Sequence, residues 1–109
     1  KVIMNKKKNL IQAGKDLNLK KVNGEFIGIL KLNKNGCKIF KNYYNQAKQR
    51  FKNKAFFNAK SFKKAYITDF LNYLVLNKII IKCVNIKAGW MEIDTIQDFK
   101  KAQNFYKVK

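Results

Sequence analysis

The chain predicts an α/β fold opened by a small β-ribbon, and three observations carry that expectation. Two short runs, residues 25–32 and 79–86, are mostly apolar, and the second is rich in β-branched side chains, as covered strands are. Three other stretches repeat apolar residues at steps of three and four, as helices with one buried face do. The two kinds alternate along 109 residues, a length that suits one domain or part of one.

Residues 2–4 and 10–13 flank the polar stretch 5–9, a pattern that reads as two short strands joined by a turn. Asn23 and Gly24 punctuate the chain before the run 25–32, which is expected to be a buried strand. Asn33 is placed to cap a helix on which Cys37, Phe40, Tyr44, Ala47 and Phe51 share one face. Residues 51–60 show no period and carry Asn53 and Asn58, so an exposed connection is expected there. From about Ser61 a second helix is predicted, with Tyr66 or Ile67, Phe70, Leu71 and Leu74 on a common face and Asn77 near its end. The run 79–86 is expected to be a strand covered on both faces, ended by Ala88 and Gly89. Residues 90–94 read as a short extended segment. Thr95 then caps a final helix along which Ile96, Phe99, Ala102 or Gln103, and Tyr106 line up, with Asp98 in the acidic position of a near capping box.

The formal charge is +19, with 25 basic residues against 6 acidic ones. Such a charge attracts polyanions, yet every basic residue except Arg50 is lysine, and the lysines are scattered. Lys, Asn, Ile, Phe and Tyr dominate while Pro and His are absent, as AT-rich coding would produce. No specific nucleic-acid partner is therefore expected. Cys37 and Cys83 lie far apart and no His accompanies them, which excludes a zinc site or a Cys-x-x-C redox pair and fits reduced thiols in the cytoplasm. No apolar run approaches the ~20 residues of a membrane span, and the opening residues lack the apolar stretch of a signal peptide. A cytoplasmic protein with no membrane association is the expectation.

The acids are scarce, so their positions are informative. Glu25 stands between Gly24 and the run containing Gly28, a solvated strand-end carboxylate or a ligand contact beside a glycine that admits close approach. Asp94 lies where an extended segment yields to a helix. It serves either as an N-cap or, since Thr95 already caps, as a carboxylate for a hard cation such as Mg²⁺. Glu92, two residues earlier, points to the same side, for support of Asp94 or for a surface ion pair. Trp90 follows Gly89 and offers either a flat ligand wall or core packing. Tyr66 and Asp69, three residues apart, are neighbours on a helix, where plain surface decoration is the simpler role.

Taken in order, residues 24–28 (Gly-Glu-Phe-Ile-Gly), 65–69 (Ala-Tyr-Ile-Thr-Asp) and 89–95 (Gly-Trp-Met-Glu-Ile-Asp-Thr) resemble the C-terminal half of a nucleotidyltransferase family. That family includes the sugar-phosphate, phosphocholine and 2-aminoethylphosphonate cytidylyltransferases, and the similarity runs along almost the entire chain. The resemblance implies a Rossmann-like mixed sheet, with a nucleoside triphosphate, CTP first, and a phosphorylated or phosphonate acceptor lying across its strand ends. An acceptor oxygen attacks the α-phosphorus and pyrophosphate leaves, with Mg²⁺ neutralising the charge. It also implies that Asp94 binds the metal and acts in catalysis, and that Glu25, Trp90, Tyr66, Asp69 and Glu92 face the acceptor. A wall of this kind suits a choline or aminoethyl cation.

One departure is large. The family's glycine-rich phosphate loop and its first metal-binding aspartate have no counterpart in these residues. The expectation is a partial domain, residues 1–109 forming the acceptor and metal half, inactive by itself and completed by an N-terminal half. A different class of function, a small lysine-rich module binding nucleic acid or an anionic surface, stands as the alternative and predicts lysines gathered on one face.

Overall fold

The polar stretch after the first apolar residues turns the chain back because Asn5 organises it: its Oδ1 accepts the N–H groups of Lys7 and Asn9 at 2.9 and 3.0 Å. Lys8 takes a positive φ of 63° in the same turn. The turn joins β1 (Val2–Met4) to β2 (Leu10–Ala13), antiparallel and with a register irregularity between Ile3 and Met4. This computed structural model describes residues 1–105. It shows a small mixed α/β arrangement of one two-stranded antiparallel sheet and three α-helices.

The runs 25–32 and 79–86, expected to be covered strands, are not strands. The chain bridges the ribbon once just before the first run, Val2 with Gly24, and once within the second, Asn9 with Lys82, each bridge antiparallel, and then departs from it. Ile29 is 71% exposed and Val84 83% exposed. β-Branched side chains favour extended backbone, but a ladder needs a partner along its length, and ribbon strands of three and four residues are too short to supply one.

Helix α1 (Lys34–Arg50) begins where the sequence places it, with Asn33 Oδ1 accepting the Gly36 N–H at 2.7 Å. Its packed face differs from the expected stripe. Cys37 faces solvent, whereas Phe40, Tyr43, Tyr44 and Ala47 turn toward the core. The connection after α1 also differs, because Phe56 within it is completely buried. Its backbone N–H and C=O are both paired with Ala59, at 2.9 and 3.0 Å, in a tight turn that drives the ring inward. The second helix starts later than expected: a 3₁₀ turn (Phe62–Lys64) precedes α2 (Ile67–Leu76), with Asn77 at its C-cap. Phe70, Leu71, Tyr73 and Leu74 are buried on α2, while Tyr66 and Ile67 are exposed. Edge-to-face contacts knit this core, among them Phe40 with Phe70 at 4.7 Å and Phe51 with Tyr73 at 5.7 Å between centroids.

One side chain joins the ribbon to the helical layer. Asn72, buried on α2, accepts the Ala13 N–H at 2.8 Å and donates to the Ala13 carbonyl at 2.7 Å. The amide thereby completes the outer edge of β2 as another strand would. Helix α3 (Ile96–Phe105) buries Ala102 but leaves Ile96 and Phe99 exposed; Tyr106, expected on the same face, lies outside the described residues. Among the described residues no helix is long and apolar enough to cross a membrane.

Replacing Asn72 by Ala strands one buried donor and one buried acceptor on Ala13, at roughly 1–3 kcal/mol each. Urea denaturation of Asn72→Ala should show a loss of about 2–4 kcal/mol, with Gln12→Ala on the exposed side of the same strand changing stability by less than about 0.5 kcal/mol.

Candidate functional site

A shallow, open cleft of about 380 Å³ is lined by Phe26, Ile27, Gly28, Ile67, Trp90, Met91 and Glu92. Its walls come from three separate stretches of chain: the segment leaving the ribbon, the first residue of α2, and the extended segment before α3. Two glycines shape it. Gly28 and Gly89 adopt φ values of +85° and +89°, and a Cβ on either would meet nothing within 4 Å. Their role is therefore conformational: they bend the two walls through a backbone region other residues rarely occupy.

Trp90 and Glu92 line the cleft themselves, Trp90 being 37% exposed. Glu25 and Tyr66 are exposed neighbours of the lining residues Phe26 and Ile67. The Tyr66 ring carries the Lys15 ammonium 5.1 Å from its centroid, a cation–π contact that sets a positive charge beside the start of α2.

Asp69 is placed differently. It is 3% exposed, and its carboxylate accepts the Tyr66 N–H at 3.0 Å and the Asn58 N–H at 3.4 Å. Those bonds cap α2 and anchor the loop that carries Phe56. Asp69 thus holds the residues around the cleft and has no place in its lining. Phe26, Ile27, Ile67 and Met91 contribute apolar walls that sequence reasoning did not single out. The signal available for them was only adjacency to the motifs.

Asp94 lies two residues beyond Glu92, outside the lining and exposed. Among the described residues its carboxylate has no hydrogen-bond or ion-pair partner. Its backbone, by contrast, is fixed: the N–H groups of Asp94 and Thr95 both donate to Asp98 Oδ2 at 3.2 Å, and the Asp98 N–H donates to Thr95 Oγ1 at 3.0 Å. This is the expected capping box with Asp in the acidic position. Among the described residues there is no group of three or more His, Cys, Asp or Glu side chains able to hold a metal ion. A lone carboxylate does match what Mg²⁺ takes from a protein when phosphates and water supply its remaining ligands.

The cap makes a pH-dependent prediction. The Asp94 N–H first and the Thr95 hydroxyl second, with the Thr95 N–H and the Lys101 charge adding less, hold the Asp98 carboxyl below its ordinary value against an opposing effect of desolvation. A depressed carboxylate stabilises the fold above its unfolded pKa of about 3.9, and that contribution is lost as pH falls through the lower folded value. The Asp94 and Thr95 amide resonances should accordingly titrate with a midpoint below about 3.9, and Asp98→Asn should abolish the titration. A midpoint at or above that value would contradict the cap.

Compared with protein-family models, with characterised proteins and with solved structures, the chain has no match.

Proposed function

We propose that this chain is the acceptor-binding half of a nucleotidyltransferase, one that transfers a nucleotidyl group, CMP from CTP as the first candidate, to a small phosphorylated or phosphonate molecule and releases pyrophosphate. One observation carries the reading. The three motif-bearing stretches around residues 24–28, 65–69 and 89–95 are remote in sequence, yet all three contribute to one cleft. An indole, a phenyl ring and the Glu92 carboxylate in that lining favour an acceptor with a cationic end, such as phosphocholine or 2-aminoethylphosphonate, over a sugar phosphate.

In this reading the cleft orients the acceptor, Trp90 and Phe26 flank its cation, and Glu92 balances its charge. Asp94, with its backbone pinned by the α3 cap, would hold Mg²⁺ together with the triphosphate, and the ion would offset charge on the transferring phosphorus. The nucleotide itself would be held by an N-terminal half carrying the glycine-rich loop, in a Rossmann-like sheet that the two halves build together. Free Cys37 and Cys83 accord with a cytoplasmic setting.

Trp90 is the only tryptophan, so its emission reports on the cleft alone. Titration with phosphocholine or 2-aminoethylphosphonate should shift that emission saturably, and Glu92→Gln should weaken binding by about tenfold, the equivalent of one charge-assisted contact. Supplied in trans with a related N-terminal half, CTP and Mg²⁺, the chain should release pyrophosphate in an acceptor-dependent manner that Asp94→Ala abolishes. An unmoved emission at millimolar acceptor, with salt-steep binding to any duplex that ignores Asp94→Ala, would sink the transferase reading in favour of a basic binding module.

A further inference from the structure

The segment after α2 presents an unusual edge. At the Asn9–Lys82 bridge, Leu10 N–H donates to the Ile81 carbonyl at 2.8 Å and Cys83 N–H donates to the Lys8 carbonyl at 2.7 Å. Residues 81 and 83 thus direct their backbone groups at the ribbon. In an antiparallel pair the intervening residues direct theirs the opposite way, so Ile80, Lys82 and Val84 turn N–H and C=O outward. Among the described residues those outward groups have no backbone partner.

The side chains alternate with the same period. Ile79, Ile81 and Cys83 pack against the core, whereas Ile80 is 75% exposed, Val84 83% and Ile86 53%. An exposed row of unpaired backbone groups beside apolar β-branched side chains is the arrangement that an added strand completes.

Charge decides what kind of strand. Lys78, Lys82 and Lys87 punctuate the segment, and no acid occurs between Asp69 and Glu92. The Lys82 ammonium donates to the Lys7 carbonyl at 2.9 Å, which sets it against the turn that bears Lys6, Lys7 and Lys8. A second copy of the chain would bring like charges together along this edge, with +19 on each partner. Ile80, Lys82 and Val84 share one face, so a strand whose every second residue runs apolar, acidic, apolar instead meets Ile80 and Val84 with apolar side chains and Lys82 with a carboxylate.

We propose that residues 80–84 form a docking edge for an extended, acidic and apolar strand of a partner protein, bound by β-strand addition. The inference is independent of the acceptor cleft, to which none of these residues contributes.

The test uses a labelled, end-blocked peptide of about nine residues, Val-Thr-Glu-Thr-Val-Thr-Glu-Thr-Val, whose valines and glutamates alternate along one face, read by fluorescence anisotropy at about 0.15 M salt. Its same-composition control has the valines and glutamates in two blocks. The alternating peptide should bind with saturation and slow amide exchange at Ile80, Lys82 and Val84, while the block control binds at least about tenfold more weakly. Val84→Pro removes an outward N–H and leaves the inward bonds of Ile81 and Cys83 in place, so it should weaken binding by about tenfold or more. Continued exchange protection of the Leu10 and Cys83 amides would show that this variant keeps its fold. Lys82→Glu, which alters no backbone donor, should weaken the acidic peptide by a comparable factor and serves as the second variant.

Equal affinity for the two peptides, or indifference to Val84→Pro, would reduce the effect to diffuse electrostatics and overturn the proposal. So would an absence of binding, or self-association of the chain that Val84→Pro abolishes, which would assign the edge to a second copy.

Discussion

The rest of the structure depends on the paired hydrogen bonds between Asn72 and Ala13. A two-stranded ribbon is at best marginally stable alone, and of its residues only Val2, Leu10 and Ala13 are buried. The Asn72 amide fastens the end of β2 to the middle of α2, bringing those residues against Phe70, Leu71 and Leu74. Since the amide is itself buried, the pairing is directional as well as cohesive. A shift of one residue along β2 would leave its donor and acceptor facing the wrong backbone groups, so the joint sets the register of ribbon on helix.

The aromatic cluster stands on the other side of that joint. Phe56 and Tyr73, both fully buried, sit among Phe51, Phe62 and Phe70, and the Tyr73 hydroxyl donates to Gln46 Oε1 at 2.6 Å. This core covers the inner faces of α1 and α2 and leaves the segments 25–32 and 79–96 on its margin. The radius of gyration is 16.4 Å, against about 13 Å for a compact chain of this length. The cleft and the exposed edge at residues 80–84 both lie on that margin, where extended chain runs over the core without a ladder to cover it.

How much was legible in the sequence follows from which constraints are local. The ribbon, Asn33 as N-cap, Asn77 at the end of α2 and the Thr95–Asp98 box are each set by a few adjacent residues, and each occurs where it was expected. The strands at 25–32 and 79–86 failed because composition reports a preference for extended backbone but does not report whether a neighbour exists to pair with. Phe56 escaped notice because a single buried ring in an aperiodic turn has no periodic signature. Asp69 was the subtlest case. A carboxylate three residues after an aromatic reads as a surface pair, and only burial reveals that its oxygens serve backbone N–H groups. At the site, Trp90 and Glu92 lie in the cleft, while the flanking apolar walls were invisible without tertiary structure.

The distribution of the six acids gives this lysine-rich chain its chemical polarity. Asp69 and Asp98 are committed to helix caps, where backbone N–H groups and the helix dipole stabilise them. Glu92 and Asp94 lie together in the segment that Gly89 bends and the α3 cap anchors, so the local negative charge rests on a backbone fixed at both ends. The chain is lysine-rich, yet no ion pair ties up the Asp94 carboxylate among the described residues. Screening explains why: across an exposed surface a lysine gains at most about 1 kcal/mol by pairing and gives up side-chain entropy to do so. On the proposed reading a cationic acceptor confined by Trp90 and partly desolvated would gain more from the Glu92 carboxylate, so that a chain bearing +19 could still select a cation at one point on its surface.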